Sequence, residues 1–283
     1  MIIRIAAAML TPIIFNMLAM VVLAALPPAA GLVWVLFLGG AFYAWAVRPG
    51  RRRSHRLARL RLRAPDGAPR LVLLSCAASL LLLFGVGSFI ALIAPEIDPG
   101  DVPVWYEMLQ PYQETWVGWA ALATLIALVI PMVEEFSFRG HIQRLIERRH
   151  GVPAAIVTAS ILFMLLHVGG PNWSILAISL TVGITCGLAV HVFRSIWPAV
   201  LTHAAWNGTM IAAEALGSNL ATQPAPGTAA TIISGMGLVG AGVLVWRYVL
   251  RREHGSGRES ACEGARATAE PGAADRAPDP TIS

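Results

Sequence analysis

The sequence contains no lysine and little charge of either sign. All 21 basic residues among its 283 are arginine, which excludes mechanisms that need a lysine Schiff base or a lysine general base. Charged residues make up 13% of the chain and hydrophobic residues 56%, whereas roughly 25% of a soluble domain is charged. The composition therefore predicts an integral membrane protein.

Cysteine is also scarce, and its three positions lie far apart. Cys76 and Cys186 fall in apolar runs, and Cys262 falls near the carboxyl terminus. This spacing offers neither a metal-ligand cluster nor a disulfide framework. All three are interpreted as reduced packing residues.

The net charge is +5 at pH 7, and a basic balance is also typical of nucleic-acid binding. Here, however, the arginines cluster in short loops between apolar runs, which is the pattern of the positive-inside rule for membrane proteins. We therefore expect membrane lipids as partners and no nucleic acid.

Eight apolar runs follow one another along the chain, and a membrane-spanning helix needs about 20 such residues. They cover residues 5–26, 32–47, 71–94, 116–133, 154–168, 174–192, 198–216 and 228–246. The first run is longer than the apolar core of a signal peptide, which is about 7–15 residues. The predicted fold class is all-α, a polytopic transmembrane helix bundle of about eight spans.

The loop charges predict the orientation of the bundle. Residues 48–70 hold nine arginines and one acidic residue, whereas residues 95–115 hold five acidic residues and no arginine. Arginine-rich loops stay on the cytoplasmic side, so both termini are predicted to be cytoplasmic. The lysine-free composition suggests a bacterial cytoplasmic membrane. Residues 55–63 alternate arginine with leucine and alanine, which predicts a segment on anionic headgroups.

Three parts of the chain differ in composition. Residues 1–115 carry the first three spans and the arginine-rich loop, and residues 116–250 carry the other five. Residues 251–283 form a polar tail that is predicted to be disordered and cytoplasmic. Glycines at positions 235, 237, 240 and 242 predict that the last span packs closely on a neighbour.

Two adjacent carboxylates, Glu134 and Glu135, directly follow an apolar run. Ionisable residues at this depth are costly and by default mark a functional site. Glu135 and Arg139 are four apart, so they share a helix face and can form an ion pair, while Glu134 lies about 100° away and stays unpaired. In a second interpretation, both glutamates form ion pairs with Arg139 and Arg144.

A hairpin would bring a histidine to the level of these carboxylates. Glu134 and His167 lie about equally far from Gly151, roughly 16 positions or 25 Å along a helix, and Gly151-Val-Pro153 is a helix break. Antiparallel arms would therefore place both at one level, with Phe163 on the same face as His167. The alternative is an ordinary interfacial or core histidine.

His203 and Asn207, also four apart, form a polar face on the seventh apolar run. Polar groups in a membrane helix need partners. This face fits either a functional site or a hydrogen-bonded clamp between helices.

These motifs resemble those of the CPBP family of intramembrane proteases, which includes the CAAX prenyl endopeptidases and bacterial Abi-like homologues linked to bacteriocin processing or immunity. The family motifs are Glu-Glu-x-x-x-Arg, Phe-x-x-x-His and His-x-x-x-Asn. The matching segments are Glu134-Glu135-Phe136-Ser137-Phe138-Arg139, Phe163 to His167, and His203 to Asn207. The resemblance covers residues 116–216.

The resemblance implies that residues 116–250 form a CAAX-protease-like core. It would hydrolyse a peptide bond of a peptide or lipidated protein, in a water-filled cavity open to the cytoplasmic side. Glu134 and His167 would activate the attacking water, and His203 and Asn207 would stabilise the oxyanion. Glu135 would belong to the same catalytic set and, with Arg139, would hold its geometry, while Phe163 would give structural support.

The family is commonly called metalloprotease, so the resemblance also implies Zn²⁺. Glu134, His167 and His203 would supply three ligands, with water in the open position. No His-Glu-x-x-His helix is present, and a glutamate-activated water without metal fits the same residues.

Two other functions fit parts of the sequence. A small transporter or channel would use Glu134, His167 and His203 to relay protons or bind a cation, but no inverted repeat is visible. A non-catalytic immunity or scaffold protein would keep the fold and bind a partner, and the complete set of motifs argues against it.

Overall fold

The structure, a computed structural model, describes residues 1–47, 61–93, 109–168, 174–216 and 228–268. Within these ranges the regular elements are all helical and no strand occurs, which confirms the all-α prediction. The elements are α1 (Ile2–Ala24), α2 (Pro28–Val47), α3 (Pro69–Ile93), α4 (Gln110–Gln113), α5 (Trp116–Ala123), π1 (Thr124–Val129), α6 (Ile130–Glu135), π2 (Phe136–Gln143), α7 (Arg144–Leu165), α8 (Ser174–Phe193), α9 (Trp197–Ala215) and α10 (Thr228–Thr268).

Five helical stretches of the described chain are long and apolar enough to cross a membrane, which supports an integral membrane protein. They are Ile2–Ala24, Pro69–Ile93, Trp116–Leu165, Ser174–Phe193 and Thr228–Arg252. The third contains two of the predicted spans, joined at a kink. The remaining two predicted spans correspond to α2, whose apolar part is short (Pro28–Phe42), and to α9, which carries His203 and Asn207.

The kink lies at Gly151, where φ is 80° and ψ is 173°. Glycine is favoured at such a positive φ because it has no Cβ. The arms before and after Gly151 fold against each other, with the rings of Phe138 and Phe163 5.2 Å apart. These two residues are almost equally far from Gly151, so the arms have the predicted register. Glu134 and His167 lie four residues further from Gly151 on their respective arms and are therefore at one level.

Proline alters the helix just before the carboxylates. Pro131 has no N–H to donate, and in the preceding segment, π1, hydrogen bonds reach five residues back, as from Ile130 N–H to the Leu125 carbonyl. A second wide segment, π2, begins at Phe136. Glu134 and Glu135 therefore lie at the end of a short α-helix between two π-helical segments. Such segments are rare in proteins, and those that occur are often found at functional sites.

The main hydrophobic core lies where π2, α7, α8 and α9 meet, and it contains Phe138, Phe163 and Cys186. The helix α1 packs on α6 and π2, α2 packs on α5 and π1, and α3 packs on α8 and α9. Cys76 and Cys186 are buried free thiols, as predicted, and Cys262 has no described side chain.

The last helix packs on α3 through only some of the predicted glycines. A Cβ at Gly242 would lie 2.8 Å from the Ala78 carbonyl oxygen, so this close approach requires glycine. Gly235 also contacts α3, at Phe89, whereas nothing lies within 4 Å of a Cβ at Gly237 or Gly240. Only part of the glycine run therefore serves the helix contact.

The helix α10 continues to Thr268, although the sequence predicts disorder from residue 251. Alanine, glutamate and arginine, which favour helix, make up ten of the 18 residues from 251 to 268, whereas the three glycines of this stretch disfavour it. The predicted disorder of residues 269–283 lies outside the described part of the chain.

The predicted membrane-surface segment, 55–63, lies mostly outside the described residues as well. Its end is fixed to the turn between α8 and α9: Ile196 N–H donates to the Arg61 carbonyl, and Trp197 Nε1 donates to the Leu62 carbonyl. The Arg61 guanidinium also pairs with Glu147 on α7. This connection therefore joins three elements at the predicted cytoplasmic end.

The turn between α1 and α2 is held by Tyr112, which is 1% exposed. Its hydroxyl lies 2.7 Å from the Leu23 carbonyl oxygen and 2.8 Å from that of Leu26, and it donates to this pair. Burial raises the pKa of the Tyr112 phenol, so the donating, neutral form is favoured in the folded state.

Tyr112→Phe should lower the free energy of unfolding by about 1 kcal/mol, because the buried hydroxyl's hydrogen bonds to the Leu23 and Leu26 carbonyl oxygens are lost. The expected result is a lower thermal midpoint in detergent at pH 7. Since the neutral phenol is the stabilising form, the difference from wild type should persist below pH about 10 and shrink as pH rises above it. A Tyr112→Phe protein as stable as wild type at pH 7 would contradict this role.

Candidate active site

Four ionisable side chains from three elements meet in the interior of the bundle. Glu134 and His203 are each 4% exposed, and Glu135 and Arg139 are 0% exposed. Glu134 and Glu135 end α6, Arg139 lies in π2, and His203 lies on α9. Charged groups are almost never buried to this extent without partners, so their contacts decide what the cluster can do.

The Glu135 carboxylate joins Arg139 to His203. The predicted ion pair is present, with Arg139 Nη1 3.1 Å from Glu135 Oε1. His203 Nδ1 lies 2.9 Å from the same oxygen. Since an ionised carboxylate only accepts hydrogen bonds, Nδ1 is the donor, and a neutral imidazole then carries its lone pair on Nε2.

Arg139 is also held from outside its own helix. Its Nη2 donates to the Gly183 carbonyl at 3.1 Å, and its guanidinium carbon lies 4.7 Å from the centre of the Phe163 ring. One turn further on, Gln143 Nε2 donates in the same way to the Gly187 carbonyl. A Cβ at Gly183 would lie 2.7 Å from Ser160 Cβ, so glycine lets α8 approach closely enough for these contacts.

Glu134 forms no ion pair with arginine in the described chain. Its Oε1 accepts a hydrogen bond from Asn16 Nδ2 at 2.9 Å, and its Oε2 lies 3.8 Å from His203 Nε2. If Glu134 is ionised and His203 is neutral, both facing atoms are acceptors and cannot bond to each other. One water molecule can donate to both, so this pair of atoms is suited to orienting a water.

Phe163 lies between the two predicted histidines. Its ring centre is 5.0 Å from that of His167 and 5.7 Å from that of His203. His167 is partly exposed, and its Nδ1 lies 3.0 Å from the Phe163 carbonyl of its own helix. Among the described residues, His167 has no hydrogen bond to Glu134, although the hairpin places both at one level.

Asn207 contacts the backbone rather than the carboxylates. Its Nδ2 donates to the Ile126 carbonyl at 2.9 Å. In the π-helical pattern this carbonyl would accept from residue 131, which is proline and has no N–H. Asn207 therefore supplies the missing donor, as in the clamp alternative above, and the oxyanion role implied by the resemblance stays a prediction.

The described part of the chain contains no group of three His, Cys, Asp or Glu side chains placed to hold a metal ion. Glu134 and His203 face each other, but His167 does not complete the set with them. The side chains of the described residues therefore do not form the three-ligand site that the resemblance implies.

Asn16, Gln143 and two glycines of α8 belong to the site but were not found from the sequence. The glycines are Gly183 and Gly187, whose carbonyl oxygens accept hydrogen bonds from Arg139 and Gln143. Asn16 could have been noticed as a lone amide in the apolar first span, since a polar group there needs a partner. The spacing Gly183-x-x-x-Gly187 is a known signal for close helix packing.

Comparison with protein families supports the resemblance. Residues 116–209 match the family model described as type II CAAX prenyl endopeptidase, Rce1-like. This Rce1-like domain covers about a third of the chain, and it begins with α5 and ends within α9. The resemblance to the CPBP proteases is thereby confirmed. No curated protein and no solved structure was found to match the chain.

Arg139→Met should destabilise the Rce1-like domain strongly, because it leaves the Glu135 carboxylate buried without its positive partner. Removing one member of a buried pair costs about 3–5 kcal/mol. The measurement is thermal unfolding in detergent, with Arg149→Met as the matched control, since Arg149 is exposed on the same arm.

The double variant Glu135→Gln, Arg139→Met should recover part of that stability, because no uncompensated charge remains. Equal stability of Arg139→Met and Arg149→Met would contradict a structural role for the pair.

Proposed function

We propose that the protein is an intramembrane endopeptidase that hydrolyses a peptide bond near the cytoplasmic face of the membrane. The Rce1-like match supports protease activity of the CAAX type in general. The observation that carries the finer proposal is the buried Glu134 carboxylate, which faces His203 Nε2 across 3.8 Å and has no arginine partner in the described chain. The arginine-rich predicted cytoplasmic loop supports the location of the site.

In the proposed reaction, a water donates to Glu134 Oε2 and His203 Nε2. Glu134 takes one proton as the water oxygen attacks the peptide carbonyl carbon, so a C–O bond forms and the carbonyl oxygen becomes an oxyanion. The tetrahedral intermediate then breaks its C–N bond, and the proton held by Glu134 passes to the leaving nitrogen. The products are an amine and a carboxylic acid, and the acid loses the second proton of the water through His203 Nε2 to become a carboxylate.

Glu135 and Arg139 have a supporting role in this mechanism. The Glu135 carboxylate fixes the His203 ring through Nδ1, and Arg139 balances its charge in the buried interior. Neutral His203 then offers Nε2 as an acceptor that orients the water. The resemblance implies His203 and Asn207 as donors to the oxyanion, and His203 becomes such a donor once Nε2 has gained a proton.

A membrane-associated peptide or protein, including one with a lipidated carboxyl terminus, is the proposed substrate class. It follows from the family to which residues 116–209 are similar. The proposed location is a bacterial cytoplasmic membrane with both termini in the cytoplasm, as the loop charges predict.

Zn²⁺ stays a prediction from the family resemblance. The check is metal analysis of the purified wild type and of the variants His167→Ala and His203→Ala. Stoichiometric zinc in the wild type that is lost in both variants would support the zinc site that the resemblance implies, even though the described side chains do not form a three-ligand group.

Glu134→Gln should lower the peptide-cleavage rate about 100-fold or more, since the amide cannot accept the proton of the water. The assay uses purified protein and a fluorogenic peptide, and the matched control is Glu114→Gln, because Glu114 is exposed. Thermal unfolding of both variants should show that they remain folded.

Each alternative function gives a different result in the same experiment. A transporter would lose cation or proton flux in liposomes on Glu134→Gln and cleave no peptide. A scaffold would tolerate the substitution and show no cleavage in the wild type. Full cleavage by Glu134→Gln would contradict the proposed base.

A further inference from the structure

The polar partner of the site carboxylate comes from a helix outside the Rce1-like domain. Asn16 lies in the middle of α1, and its Nδ2 donates to Glu134 Oε1 at 2.9 Å. The match to the family model begins at residue 116. The carboxylate that we propose as the base is thus contacted by a residue one hundred positions away from that domain.

The chemistry of this contact is directional. An amide N–H that donates to a carboxylate stabilises the ionised form and fixes its rotation. With Oε1 held by Asn16, the other oxygen, Oε2, is the one that faces His203 Nε2. The amide therefore selects which oxygen is available to a water.

Packing alone does not explain why α1 carries an amide here. Much of α1 is exposed on the bundle surface, including Ile14, Met17 and Leu18, as expected of a lipid-facing helix. Burying an amide in such a helix is unfavourable unless it is hydrogen bonded. The side that carries Asn16 packs on α6 and π2.

The second atom of the amide gives an independent observation. Asn16 Oδ1 is buried, and no residue of the described chain donates to it. Buried acceptors nearly always have a partner, and a water O–H or a substrate N–H could supply one beside Glu134.

We propose that Asn16 is a positioning residue for hydrolysis: its amide holds Glu134 Oε1 and directs Oε2 to the water that His203 orients. This inference rests on the proposed function for its catalytic part. The hydrogen bond from Asn16 to Glu134 does not, and its loss can be measured in a protein without activity.

The experiment compares wild type with Asn16→Leu, which replaces the amide by an apolar side chain of similar size, and Asn16→Ala, which removes the amide without adding a charge. The matched control is Thr11→Val, because Thr11 is exposed on the same helix and bonds only to the Ala7 carbonyl. We expect kcat to fall about 10- to 100-fold in both Asn16 variants, with KM changed less than about threefold, and no change in Thr11→Val.

The second readout is the infrared carboxylate band of Glu134 at one fixed pH, assigned by its loss in Glu134→Gln. In both Asn16 variants this band should change frequency, because Oε1 has lost its hydrogen-bond donor. If Asn16→Leu does not fold, Asn16→Ala alone decides. A Glu134 band at the wild-type frequency overturns the inference, even where kcat falls.

The two proposals fail in different ways. If the wild type cleaves no peptide but the Glu134 band moves in the Asn16 variants, the proposed protease activity is wrong and the positioning of Glu134 stands. If the wild type cleaves and the Asn16 variants retain its kcat, the activity stands and the role of Asn16 is wrong.

Discussion

The site depends on one buried, charge-balanced contact, the pair of Glu135 and Arg139. An isolated charge at this depth would be strongly unfavourable. The pair is therefore built with further partners: His203 donates to the carboxylate, and the Gly183 carbonyl and the Phe163 ring receive the guanidinium. Five elements (α6, π2, α7, α8 and α9) are thereby placed relative to one another around the neighbouring Glu134.

A consequence of this arrangement is a division between two adjacent carboxylates. Glu135 is neutralised by an arginine and serves the structure, while the polar side chains that face Glu134 in the described part of the chain are an amide and an imidazole. The two differ because successive helix positions point about 100° apart. Helix geometry alone therefore gives these two adjacent glutamates different chemical environments.

Much of this could be predicted from the sequence, because it depends on local spacing. The ion pair follows from a separation of four residues, and the hairpin register follows from the position of Gly151. The contact of Asn16 with Glu134 spans 118 positions and has no periodic signal, so no local rule finds it. Local spacing likewise predicts neither the π-helical segments nor the partner of Asn207. Both depend on how α9 packs against the Ile126 carbonyl, which Pro131 leaves without a donor.

The hairpin also determines which changes in length the chain can accept. Its two arms are joined at the single residue Gly151 rather than by a loop. No loop between Glu134 and His167 can therefore absorb an added or deleted residue. One inserted residue in the second arm would turn every later side chain by about 100° and shift it by about 1.5 Å. Phe163 would then leave the position between the imidazoles, and we expect insertions and deletions to be excluded from this stretch of the chain.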